Sequence, residues 1–214
     1  MTNYKIKVVL FDADGVIITP KDPFSVQYAR LHGLDPKTLG SFFDELFGET
    51  LTGKRDLKEL LEKRRDLWKW KGTIEDLLQQ WFKAENHVNQ ELVALIHQAR
   101  AKGMSCYLVM NQEKYRTRYV KEVMFPGVFD YIYSSAEMGV KKPDPKFYQH
   151  IINDLQNAQV IIEPGDIAYF DDHPSNVRSA KALGLEAHLY AGIQQVKKIL
   201  QIQSENLENI NTIK

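Results

Sequence analysis

The chain has little cysteine: one residue, Cys106, in 214. A disulfide within the chain is therefore excluded, and a reducing compartment is expected. Net charge is absent too, since Lys+Arg and Asp+Glu both number 28. That removes the broad electrostatic case for nucleic acid or an anionic membrane as a partner. No apolar run is long enough to cross a bilayer, and the first residues lead into a strand without a signal-peptide pattern. The expected location is the cytoplasm. Repeats and low-complexity linkers are lacking as well. The polar, Asn-rich stretch from Gln201 to Lys214 is expected to fray.

What is present is enough apolar material for a core, 43% of residues. The length suits one domain with a substantial insertion, or two small ones. The organising stretch is Val8-Val9-Leu10-Phe11-Asp12-Ala13-Asp14-Gly15-Val16. Its apolar run reads as a buried strand that ends in two carboxylates, with Gly15 letting the chain turn away. Two acids at a buried strand end repel each other and resist desolvation. A bound Mg²⁺ at the carboxyl end of a parallel strand would offset that cost. The plainer alternative is a strand running into an acidic turn.

Residues 19–85 carry only helical patterns and many aromatics. Asp22-Pro23 and Asp35-Pro36 read as helix starts, and residues 54–70 read as one longer helix with Leu57, Leu60, Leu61, Leu67 and Trp68 near helical spacing. Thr73 with Asp76 three residues on resembles a capping box. From Asn89 the pattern alternates helix and strand, with strands expected at 105–110, 131–133, 167–170 and 187–190. Such alternation implies an α/β fold, a doubly wound parallel sheet with a Rossmann-like core and an inserted all-helical cap. The expected division is 1–18 and 86–214 for the core and 19–85 for the cap.

Strand ends converge in such a sheet. The second strand ends at Met110-Asn111-Gln112, and the fourth at Asp171-Asp172-His173-Pro174, a second acid pair that copies the first. Together the pairs make an oxygen-rich site suited to Mg²⁺. Lys142, before Pro143, could hold a phosphate's charge or neutralise the acids; for Lys141 a solvated turn is the better reading. Cys106 reads as inert core, His173 as a solvent-facing turn residue and the three tryptophans mostly as packing. Thr52-Gly53-Lys54-Arg55 could reach over the site, or be an exposed helix start. Arg116 and Arg118 read as residues of an exposed helix without a role.

These residues resemble the haloacid dehalogenase-like superfamily of hydrolases. Phe11-Asp12-Ala13-Asp14-Gly15-Val16 is similar to its first motif, Gly139-Val140-Lys141-Lys142-Pro143-Asp144-Pro145 to its third, and Phe170-Asp171-Asp172-His173-Pro174-Ser175-Asn176-Val177 to its fourth. The resemblance implies a Mg²⁺-dependent phosphatase of small phosphate monoesters, with a subgroup likeness to sugar-phosphate phosphatases. It implies Asp12 as the nucleophile forming an aspartyl-phosphate, Asp14 as acid and base, and Lys142 as the bridge to the phosphoryl oxygens. Asp12, Asp14, Asp171 and Asp172 would form the metal shell, Asp14 through its backbone carbonyl. Asn111 and Lys142 would bind phosphate. One position departs: Met110 stands where the family carries Ser or Thr, and methionine cannot supply that hydrogen bond. Asn111 or a backbone N–H could substitute in part. The alternatives are a catalytically weak binding or regulatory protein, or a phosphotransferase of the mutase kind.

Overall fold

The computed structural model describes residues 6–202. Strands β1 (Val8–Asp12), β2 (Ser105–Met110), β3 (Tyr131–Ser134), β4 (Ile167–Asp171) and β5 (Glu186–Leu189) form one parallel sheet in the order β3-β2-β1-β4-β5. The apolar run of β1 is buried along its whole length, as the central strand of a parallel sheet must be. Its side chains alternate. Val9 and Phe11 join one core with α6 (Gln90–Ala101) and α11 (Ile193–Ile199); Val8 and Leu10 join the other with α9 (Pro145–Asn157) and α10 (Pro174–Ala182). The chain runs from β1 to β2 and β3 on one side, then returns to β4 on the other. That reversal opens a crevice at the carboxyl ends of β1 and β4. Phe11 pairs with Phe170, so the next residues, Asp12 and Asp171, stand side by side.

The segment between β1 and β2 leaves and returns at one point. Ile18 bridges Val88, Thr19 N–H donates to His87 C=O, and Asn89 N–H donates to Ile17 C=O. Between lie α1 (Phe24–His32), α2 (Pro36–Phe42), a π-helical turn (Phe43–Phe47), α3 (Gly48–Thr50), α4 (Leu57–Glu62) and α5 (Ile74–Ala84). Asp35 and Asp56 cap α2 and α4, and Thr73 with Asp76 forms the expected capping box. These helices bury their own core of Phe24, Tyr28, Phe42, Leu61, Trp68, Leu77 and Trp81. The rest of the chain adds α7 (Lys114–Tyr119), a second π-helical turn (Val120–Met124) and α8 (Ser135–Met138). Among the described residues, no helix is long and apolar enough to cross a membrane.

One expected element is shorter than its periodicity suggests. The helix expected over 54–70 is helical only at Leu57–Glu62 and then turns, with Lys69 left-handed at φ 55°. Trp68 explains the break. It is fully buried against Tyr28 and Phe42, at ring-centroid distances of 6.2 and 5.1 Å, and its carbonyl accepts from the Tyr28 hydroxyl at 3.0 Å. The turns fold the indole back into this cluster. The tail beyond Ile202 lies outside the described residues.

Candidate active site

Lys142 is the hub. Its ammonium, 1% exposed, donates to Asp12 Oδ1 at 2.6 Å, to Asp171 Oδ2 at 2.9 Å and to the Val109 carbonyl at 3.1 Å. Burial would depress the lysine, but Asp12 and Asp171 outweigh it and hold the ammonium above its ordinary value. Asp12 also accepts from Ala13 N–H on Oδ1, at 2.6 Å. Burial pushes the Asp12 carboxyl up to about 8, with Lys142 opposing and Asp171 adding to the rise. Asp171 is wholly buried and heavily hydrogen-bonded. It accepts from Lys142, from the Tyr169 hydroxyl, from Asn176 Nδ2 at 3.0 Å and from His173 N–H at 2.7 Å. Burial alone would raise it, but Lys142 and these donors hold it below the usual carboxylate value.

Asp172 completes the cluster. Oxygens of Asp12, Asp171 and Asp172 lie within 4.8 Å of one another. The Asp172 carboxylate rests over Gly15, where a Cβ would meet its Oδ2 at 2.0 Å; at φ 82° the backbone also favours glycine. Burial and Asp171 raise the Asp172 carboxyl. Three converging acids against one lysine leave excess negative charge and hard oxygen donors. That donor set fits a small divalent cation such as Mg²⁺.

Asp14 is not part of that cluster. Its carboxylate accepts from Gln112 Nε2 at 2.6 Å and from Arg116 Nη2 at 3.1 Å. Here the reading of Arg116 as exposed and without a role is wrong. The residue is 6% exposed, and its other guanidinium nitrogen pairs with Glu85. Glu85 in turn accepts from Phe24 N–H at 2.7 Å and Trp81 Nε1 at 2.9 Å. Helix α7 starts with Glu113 as its N-cap and turns Arg116 inward; the partner comes from the end of α5. A cleft of about 720 Å³ opens beside this network. It runs from Asp14, Gln112 and Arg116 to Phe43, Phe47 and Trp81.

The other candidates sit as follows. Asn111 lines the cleft, and its amide is engaged twice with the Lys142 main chain, donating to its C=O and accepting from its N–H, both at 2.9 Å. Met110 is fully buried in the core that holds Phe11 and α6. Lys141 is half-buried, and His173 is exposed with Nδ1 2.8 Å from Ser175 Oγ. Gly53, Lys54 and Arg55 border a different pocket, with Glu113 and Lys114, and do not line the cleft. The Cys106 thiol is buried and pushed up to about 12, which makes it a poor nucleophile.

Residues 6–184 match the model of the haloacid dehalogenase-like hydrolases. The chain belongs to this family of hydrolases. It is 27% identical over 191 residues to a D-ribitol-5-phosphate phosphatase of Bacteroides thetaiotaomicron, covering 85% of this chain and 90% of that protein. It is 26% identical over 95 residues to a sesquiterpene phosphatase of Aspergillus oryzae; that match spans 44% of this chain and 46% of the relative, less than half its length. Among solved structures, a family enzyme from Bacteroides thetaiotaomicron crystallised with magnesium and inorganic phosphate has the same fold. The TM-score is 0.67 at 21% identity, over 86% of this chain and 93% of that one. The chain is thus a haloacid dehalogenase-like hydrolase. Asp12 stands at the end of its central strand, beside Asp171 and Lys142.

Proposed function

We propose that the protein is a Mg²⁺-dependent phosphatase that hydrolyses a small phosphate monoester through an aspartyl-phosphate. The observation that carries this reading is the Lys142 ammonium held between Asp12 and Asp171. Both hydrogen bonds to Asp12 fall on Oδ1, which leaves Oδ2 for attack on phosphorus. As the P–O bond to the leaving group breaks, Asp14 gives its proton to that oxygen. Water, giving a proton to Asp14, then attacks phosphorus; the P–O bond to Asp12 breaks, which releases inorganic phosphate and restores the Asp12 carboxylate. Lys142 stabilises the phosphoryl oxygens, and Asn111 keeps Lys142 in place. Asp12, Asp172 and the Asp14 carbonyl would hold the ion, with Asp171 behind them. The ion would supply charge neutralisation between the anionic nucleophile and the phosphate. Residues 19–85 act as a cap over this centre.

The relatives act on leaving groups as different as ribitol and a sesquiterpene alcohol by their names, so the ester class at this site is a separate question. The test is phosphate release from p-nitrophenyl phosphate and a panel of phosphate esters. Turnover should need Mg²⁺, vanish with EDTA and vanish in Asp12→Asn. Undiminished turnover in Asp12→Asn would refute the mechanism.

A further inference from the structure

The wall of the cleft beside Asp14 has two parts. Its inner polar groups are already spent on one another. Glu85 is taken by Arg116, Trp81 Nε1 and Phe24 N–H; Arg116 by Glu85 and Asp14; Gln112 Nε2 by Asp14. Only Gln112 Oε1, buried, lacks a partner there. Of the remaining polar lining, Asn111 is bonded to the Lys142 main chain, Thr19 and Asp44 are exposed and Ser25 is half-buried, so water reaches these last three. A polyol would find one unpaired buried acceptor in this wall and otherwise groups that water already serves, so it gains little by entering.

The rest of the wall is apolar: Ile18, Pro23, Phe43, Phe47 and Trp81. Trp81 is fixed by stacking on Phe24 at 5.5 Å and by edge contact with Phe43 at 5.3 Å. Gly40 stands within helix α2 and lines the same cleft, and a Cβ there would meet nothing within 4 Å. Glycine inside a helix costs about 1 kcal/mol relative to alanine. Nothing local requires it, yet it keeps that side of the cleft open.

We infer that this cleft receives the leaving group of the substrate, and that the leaving group is a largely apolar alcohol carrying at most about one hydroxyl, admitted past Gly40. The inference rests on the phosphatase reading for the position of the phosphate at Asp12, and it adds the class of ester. It is continuous with the proposed chemistry, because Asp14 belongs both to the cleft and to the site of proton transfer.

The test separates binding from turnover. Asp12→Asn protein with Mg²⁺ is titrated calorimetrically with butyl, hexyl and octyl phosphate, with ribitol 5-phosphate and with inorganic phosphate. Each methylene that enters an apolar site is worth about a fourfold gain in affinity. The expected result is a rise of at least twofold per methylene and octyl phosphate binding at least tenfold tighter than ribitol 5-phosphate. In wild-type protein, Gly40→Leu should lower the ratio of kcat/KM for octyl over methyl phosphate at least tenfold. Leucine is a good helix former and its Cβ meets nothing within 4 Å, so the variant is expected to fold, which thermal melting checks. A flat alkyl series, or ribitol 5-phosphate binding as tightly as octyl phosphate, overturns the inference. Alkyl binding that rises with chain length, without hydrolysis of any ester, would refute the phosphatase reading and the leaving-group role with it, and keep only the apolar preference of the cleft.

Discussion

Arg116→Met tests the buried network that the site depends on. The Arg116 and Glu85 side chains are 7% and 10% exposed, so the substitution strands a carboxylate in the interior. Removing one partner of a buried ion pair costs about 3–5 kcal/mol. Glu85 keeps its bonds from Phe24 N–H and Trp81 Nε1, which places the cost at the low end, about 3 kcal/mol. For a chain of this size each kcal/mol moves the melting temperature by about 2–4 °C. The expected drop is therefore about 6–12 °C by calorimetry or circular dichroism. Adding Glu85→Gln removes the stranded charge, so the double variant should regain at least about half of the loss. The Arg116–Asp14 contact adds little stability, because the Asp14 side chain is 49% exposed. It does position Asp14, so turnover in Arg116→Met should fall by roughly ten- to a hundredfold. A single variant that melts within about 2 °C of wild type, or a double variant with simply additive losses, would refute the reasoning.

Three further expectations follow from the same geometry. Lys142→Met removes the counter-ion shared by Asp12 and Asp171; it should cost about 3–5 kcal/mol in EDTA, less when Mg²⁺ is added, and abolish turnover. Gly15→Ala forces a methyl into the Asp172 carboxylate, so the Mg²⁺ concentration for half-maximal activity should rise about tenfold or more, read from a metal titration. Asp56→Ala removes the N-cap of α4 and should cost about 1–2 kcal/mol near neutral pH by urea unfolding. Partial burial would raise the Asp56 carboxyl, but hydrogen bonds from Lys114, Tyr115 and the Lys58 N–H prevail and hold it at about 2, below its ordinary 3.8. Its stabilising share is thus present above pH 3.8 and is lost as pH falls through 2; the gap between wild type and Asp56→Ala should narrow over that window.

The parts of the site that the sequence announces are those set by local pattern. A strand that is apolar up to its last residue fixes where its carboxylates emerge, so Asp12, Asp14, Asp171 and Asp172 were readable, and the Lys142–Pro143 loop stood between them. The sheet was readable for the same reason. Arg116 was not, because an arginine on a short amphipathic stretch looks alike whether it faces water or a carboxylate 31 positions away. The available signal was Glu85, a charge one turn after Trp81 at the end of an apolar helix face. Apolar spacing likewise marked Leu57, Leu60, Leu61 and Trp68 as interior, but could not show that the chain bends after Glu62 to bury the indole. Met110 reads as a missing donor when compared motif by motif. In the fold it continues the alternation of Cys106 and Leu108 into the core.

The Arg116 network also explains why two buried charges persist where apolar residues would pack at less risk. Glu85 ends α5 and holds Phe24 N–H, the first amide of α1, whose N-cap Pro23 offers no side-chain bond. It thereby ties the first and last long helices of the insertion together. Through Arg116 the same carboxylate reaches α7 and then Asp14 at the end of the central strand. The side chain proposed to pass a proton is therefore held by a chain of bonds that is complete only when the insertion sits over the sheet. An apolar replacement of both residues would keep the packing and lose that link. Positioning of Asp14, rather than added stability, is then the expected gain from burying the pair, and the fall in turnover of Arg116→Met reads it.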